Sequence, residues 1–185
     1  MTVRYIADMH FDHEDIIAYD NRPFDSAEEM NEELIRRWNT VVEKDDLTWI
    51  LGDFCMGSGA RWREILSALK GRKAMILGNH DNRLAAEEAQ DLLESCADYQ
   101  ETEDGGKKLV LCHYPIVSFR DHYTGALHLY GHVHTAYEWG VTQNAQRLLR
   151  RLYMRQDVCR MLNVGAMLPY MDYTPRSLEE LLPLL

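Results

Sequence analysis

The sequence contains no apolar run approaching the roughly 18 residues that a membrane span requires. Its first residues, Met1-Thr2-Val3-Arg4-Tyr5-Ile6-Ala7, are followed at once by the polar Asp8 and His10. Neither a signal peptide nor a membrane anchor is expected. There is no CxxC spacing either. The four cysteines, Cys55, Cys96, Cys112 and Cys159, fall in or beside apolar stretches, which points to buried reduced thiols rather than disulfides or a zinc knot, and to a cytoplasmic setting. Positive charge is scarce: 20 Lys and Arg stand against 30 Asp and Glu, for a net charge of −10. A broad basic face that neutralises duplex phosphates is therefore excluded, and no duplex nucleic acid is expected as a partner. Pro/Gly-rich tracts, low-complexity segments and repeats are absent as well, so nothing marks a linker or a disordered arm.

What is present fits one domain over residues 1–185, with 46% apolar and 27% charged residues, enough to bury a real core. Short β-branched or bulky apolar runs predict strands at 3–7, 47–51, 73–77, 108–111, 127–130 and 160–164, most ending at Asp, Gly or Asn. Between them lie helical patterns. The stretch 26–42 opens with a capping box, Ser26 and Glu29, and lines up Met30, Leu34 and Trp38. Trp62, Ile65, Leu66 and Leu69 form a second stripe that Gly71 stops, and 82–94 gives a third helix. Gly105-Gly106 reads as a hairpin turn between 99–103 and 107–111, so an all-parallel sheet is not expected. Ser177 and Glu180 form a second capping box, ahead of Leu178, Leu181 and Leu182.

The chemistry gathers at the strand ends. These read Asp8-Met9-His10, Gly52-Asp53, Gly78-Asn79-His80-Asp81, His113 and Gly131-His132-Val133-His134, and ligands of α/β folds bind beyond the carboxyl ends of strands. Residues two apart on an extended strand point the same way, so Asp8 and His10 are expected to share one ion, with His132 and His134 converging from the other side. Gly52, Gly78 and Gly131, each just before a ligand candidate, allow sharp turns and close approach. A single His or Asp beside a strand is ordinarily a surface or hydrogen-bonded residue; the joint order carries the weight.

In that order, DxH, GD, GNHD, a lone His and GHxH resemble the calcineurin-like metallophosphoesterase superfamily over Asp8 to His134. The resemblance implies an α/β fold, a four-layer α/β/β/α sandwich of two mixed sheets flanked by helices. It implies one ion on Asp8, His10, Asp53 and His134 and a second on Asp53, Asn79, His113 and His132, bridged by Asp53. Nitrogen and oxygen donors without thiolate suit manganese, iron or zinc. Two divalent ions against Asp8, Asp53 and a shared hydroxide leave a site of about +1, which draws phosphate to an acidic protein. Ions roughly 3.5–4 Å apart acidify a shared water, and the hydroxide they hold is the expected nucleophile. His80 matches the family's position for the general acid that protonates the leaving alkoxide, with Asp81 available to orient it. The competing role for His80 is only to hydrogen-bond a ligand carboxylate.

Beyond the metals, His13 and Arg22 are candidate substrate contacts. Arg22 is placed equally as a phosphate grip or a surface salt bridge, and His13 also suits the start of a helix. Arg147, Arg150, Arg151 and Arg155 punctuate Leu148, Leu149 and Leu152, an amphipathic basic helix that suits a solvated face or a lid. Residues 167–173, rich in Met and Tyr, suit core packing or a base-stacking wall. Asp53-Phe54-Cys55-Met56-Gly57 lacks the acidic-arginine pair of the protein Ser/Thr phosphatases. The expected substrate is therefore a small phosphoric ester, a diester before a monoester, with nucleotides included. A small nuclease and a non-catalytic protein-binding platform on the same fold are the alternatives. Nothing in the sequence indicates an oligomeric state.

Overall fold

In the computed structural model, which describes residues 1–185, the expected apolar runs form the middle of two sheets. The elements, in chain order, are β1 (Val3–Ile6), α1 (Glu14–Asp20), α2 (Ala27–Val41), β2 (Leu47–Leu51), α3 (Gly59–Ala68), β3 (Arg72–Ile76), α4 (Arg83–Glu88), β4 (Ser95–Ala97), β5 (Tyr99–Asp104), β6 (Lys107–Cys112), β7 (Leu127–Tyr130), α5 (Tyr137–Tyr153), β8 (Arg160–Asn163), β9 (Arg176–Ser177) and α6 (Leu178–Leu181). One sheet has the order β4-β3-β2-β1-β9 and the other β5-β6-β7-β8. Strands β1 to β4 run parallel and β9 pairs antiparallel with β1. In the second sheet β6, β7 and β8 are parallel, and the hairpin partner β5 is antiparallel. Both sheets are mixed, the second through the Gly105-Gly106 turn between β5 and β6 and the first through β9.

The sheets pack on one another. Tyr5, Ile6, Ile50, Leu51 and Ile76 of the first share a single apolar core with Leu109, Leu111, Leu127, Leu129 and Leu162 of the second. Helices cover the outer faces. α2 buries Met30, Leu34 and Trp38, and α3 buries Trp62, Ile65 and Leu66. Strand β2, covered on both sides, is buried from Thr48 to Leu51 without alternation. Each such side chain contributes about 1.5–3 kcal/mol of transfer free energy. A smaller apolar cluster, with Val110, Tyr130 and Met161, packs against Trp139 and Leu149 of α5.

Several expectations need correction. The helix expected over 82–94 stops at Glu88, and after a 3-10 turn over Gln90–Leu92 the Glu94 N–H donates to the Lys73 carbonyl, pulling the chain into the sheet edge as β4. Only half of the first capping box forms. Ser26 accepts from the Glu29 N–H, but the Glu29 carboxylate turns to the Asp25 N–H. The second, Ser177 with Glu180, is complete. α5 buries Thr142 and Gln146 and exposes Leu148 and Leu152, because Gln146 donates to the Met161 carbonyl on the inner face. All four cysteines are free, and Cys96 is exposed rather than buried because β4 is a sheet edge. By contrast, the expected core packing of 167–173 is what forms: Leu168, Met171 and Tyr173 belong to the main core. No helix is long and apolar enough to cross a membrane.

Candidate metal centre

The ends of β1, β2, β3, β6 and β7 open on one cleft, and the backbone there departs from strand geometry. Asp8 (φ 55°), His10 (φ 54°), Asp53 (φ 51°), His132 (φ 70°) and His134 (φ 44°) all occupy the left-handed region. Asp8 and His10 therefore converge through two left-handed turns, not through the period of an extended strand as the sequence suggested. Each such residue costs about 1–2 kcal/mol of backbone strain, which persists at sites that the surroundings over-determine. Here the Asp8 and His10 N–H groups donate to the Gly52 and Asp53 carbonyls, and the His132 N–H donates to the Asp8 carboxylate.

The side chains gather in two groups that share Asp53. In the first, Asp8, His10, Asp53 and His134 offer ligand atoms within 4.8 Å of one another; in the second, Asp53, His113 and His132 do the same. His10 Nε2 lies 3.3 Å from His134 Nε2 and 3.6 Å from Asp53 Oδ2. His113 Nε2 lies 3.4 Å from Asp53 Oδ2. Asn79 completes the second group, its Oδ1 standing 3.1 Å from His113 Nε2 and 2.8 Å from His132 Nδ1. All seven residues expected from the sequence meet in one place.

Three of the imidazoles are held through their outer nitrogen. His113 Nδ1 donates to the Leu51 carbonyl at 2.9 Å, His134 Nδ1 to the Asp20 carboxylate at 2.8 Å, and His10 Nδ1 pairs with His13 Nδ1 at 3.1 Å. Their Nε2 atoms point inward, the arrangement that metal-bound histidines require. Burial brings the His10 pKa down to about 2, keeping it neutral. Burial opposes ionisation of Asp53, but the hydrogen bond and charge of His113, with His10 and the His80 N–H, hold its carboxyl below the usual carboxylate range. Burial likewise opposes the His113 cation, yet Asp53 and Asp8 raise its pKa to about 9. Asp53 and His113 each favour the charged form of the other, and a bound cation would take the place of the His113 Nε2 proton. The backbone leaves room for nothing else: a Cβ on Gly78 would sit 2.2 Å from Asp53 Oδ1, and one on Gly131 2.6 Å from Asp8 Oδ2. Inward donors without thiolate in a cradle this close fit divalent ions.

His80 lines the cleft, its ring centroid 5.4 Å from that of His10, and its N–H donates to Asp53 Oδ1. Asp81 does not reach its imidazole. Its carboxylate accepts the backbone N–H groups of Asp53, Phe54 and Gly78 at 2.8–2.9 Å, so its expected role in orienting His80 is corrected to a staple between two ligand loops. Arg22 is corrected too. Its side chain is 0% exposed, and it donates to the Asp8 and Met9 carbonyls and to Asp20, leaving no face for a phosphate and making it no surface salt bridge. His13 is the N-cap residue of α1 and lines the cleft. None of Arg147, Arg150, Arg151 and Arg155 lines it.

Of α1 only the start, at His13, was legible in the sequence; the helix brings Asp15, Ile16 and Tyr19 to the cleft wall and ends at Asp20, the partner of His134. Tyr114, exposed, packs its ring centroid 4.7 Å from that of His132.

A family profile described as the calcineurin-like phosphoesterase superfamily domain matches residues 1–178. The chain is 36% identical over 131 residues to the uncharacterized protein MJ1445 of Methanocaldococcus jannaschii, covering 70% of this chain and 67% of that one. It is 39% identical over 80 residues to the Gene 66 protein of Mycobacterium phage L5, covering 42% of this chain and 38% of the phage protein. Among solved structures, the protein of unknown function AQ665 from Aquifex aeolicus superposes with a TM-score of 0.73 at 24% identity, over 100% of this chain and 99% of its own; that likeness is one of fold. With the profile spanning nearly the whole chain and the candidate ligands converging, the chain belongs to the calcineurin-like phosphoesterase superfamily.

Proposed function

We propose that the protein hydrolyses small phosphodiesters, nucleotides among them, with two divalent ions from the manganese, iron and zinc group. The observation that carries this is the pair of ligand clusters joined by Asp53. Bound there, the ions supply an acidified water and positive charge for the non-bridging phosphate oxygens. The chain's own groups do the rest. Asn79, His113 and His132 on one side and Asp8, His10 and His134 on the other fix the positions against which phosphorus is oriented. His80, on the cleft wall and beside Asn79, donates its proton to the departing alkoxide.

Charge supports a diester. The residues lining the cleft include no Lys or Arg, and Asp15 stands among them. A singly charged diester meets less repulsion from that carboxylate than a doubly charged monoester. Tyr19, exposed and lining the cleft, and Tyr114, exposed beside His132, offer ring faces to a base or another aromatic leaving group.

The test is hydrolysis of bis-p-nitrophenyl phosphate and p-nitrophenyl phosphate by chelator-stripped protein with manganese restored, alongside Asp53→Asn and His80→Ala. Faster diester turnover, dependent on manganese and lost in Asp53→Asn, is expected; His80→Ala should lower kcat by about 10²–10⁴-fold while still binding metal. Faster monoester turnover would overturn the diester preference, and failure to bind manganese, iron or zinc would return the chain to the protein-binding platform.

A further inference from the structure

Asp20 and Arg22 form a sealed unit beneath the centre, with side chains 1% and 0% exposed. Desolvation of two buried charges commonly cancels their attraction, so the meaning of the pair lies in what else each group touches. Arg22 donates at 2.9 Å to the carbonyls of Asp8 and of Met9, within the left-handed turns that present Asp8 and His10. Those carbonyls have left the β1 ladder, and the guanidinium fork is what satisfies them. Asp20 receives Arg22 on Oδ2, and its Oδ1 lies 2.8 Å from His134 Nδ1. A carboxylate here accepts only, so the His134 proton sits on Nδ1. Nε2 then carries the lone pair, and it is Nε2 that stands 3.3 Å from His10 Nε2 and 3.7 Å from Asp8 Oδ1.

We propose that Asp20 and Arg22 are positioning residues for the ion held by Asp8, His10, Asp53 and His134: Arg22 sets the turns of the first two ligands, and Asp20 sets the tautomer and aim of the last. The proposal rests on the reading above that this cluster holds an ion. The other ion position does not use the unit, because His113 is anchored by Leu51 and Asn79 comes from the end of β3. The effect should therefore be selective for one ion of two.

Asp20→Asn keeps the shape but leaves one acceptor where the carboxylate uses two oxygens. Manganese binding to the chelator-stripped full chain, followed by equilibrium dialysis with ion counting, reads the result without activity. The wild type should bind two ions. In Asp20→Asn one of them should weaken by about 10–100-fold, with the other unchanged and the circular dichroism preserved. Two ions at wild-type affinity in the variant, or equal weakening of both, overturns the proposal and leaves the phosphoesterase reading standing. A wild type that binds no ion overturns the reading beneath it instead. Should Asp20→Asn fail to fold, Arg22→Lys decides: its single ammonium cannot span two carbonyls and the carboxylate, so the same selective weakening is expected, and undiminished binding of both ions overturns the proposal.

Discussion

Asp81 follows His80 in the chain, yet its carboxylate turns away from that imidazole to accept three backbone N–H groups, from Asp53, Phe54 and Gly78. An amide in its place has one acceptor oxygen and must set an NH2 against a backbone donor. Leaving such a group unsatisfied costs about 1–3 kcal/mol. Asp81→Asn should therefore lower stability by about that amount in urea melts, and the pH profile of turnover in the fraction that stays folded should be unchanged. A moved pH profile with full stability would instead make Asp81 a proton partner of His80. The difference between His80 and Asp81 was not legible in the sequence, where both share one motif. That the seven candidate ligands would meet in one place was legible, because their spacing after apolar runs survives any detail of the turn. Arg22 was misread for the opposite reason: its acceptors are main-chain carbonyls and Asp20, and main-chain carbonyls leave no mark in a sequence.

At the level of elements, strands were read closely because continuous apolar runs ending at Gly or Asp leave little choice of period. α1 was read only at its start, His13, because seven residues are too few for a stripe, and β9 was missed because two residues carry no alternation at all. Helix α2 was read well, and its outer face joins it to a distant loop. Glu33 receives Arg36 Nε at 2.6 Å and Arg37 Nε at 2.7 Å, while Arg37 also donates to Asp172 at 2.6 Å. The hydrogen bonds of Arg36 and then Arg37 bring the Glu33 carboxyl down from 4.5 to about 2. Because the folded pKa is depressed, this stabilisation is present above the unfolded value and is lost as pH falls from 4.5 towards about 2. Solvent screens the group, so its size is at most about 1 kcal/mol. Glu33→Gln should be less stable than the wild type by that margin at neutral pH. In denaturant melts at successive pH values the gap should close across that window. A gap that stays constant down to the acid end would remove the carboxylate from the account.

For the whole molecule, the centre is where the two sheets are tied. Asp8, His10, Asp53 and Asn79 come from the ends of β1, β2 and β3, while His113, His132 and His134 come from the ends of β6 and β7 in the other sheet. An ion held by either cluster would therefore bond across the layers. The protein without ions keeps two carboxylates, Asp8 and Asp53, almost fully buried, and five ligand residues in left-handed strain. An unfolded chain scatters these seven residues over more than a hundred positions and holds ions weakly, so binding should stabilise by mass action. At a hundred times the dissociation constant, one ion adds about 2.7 kcal/mol. In a chain of this size that raises Tm by roughly 5–10 °C. Thermal melts across a manganese series should show Tm climbing with the logarithm of free ion and falling back on chelation. Asp53→Asn, which removes the carboxylate common to both clusters, should flatten the series. A wild-type Tm indifferent to manganese, in protein shown by ion counting to be loaded, would mean that the sheets hold the site rigid without help and that the ions contribute to chemistry alone.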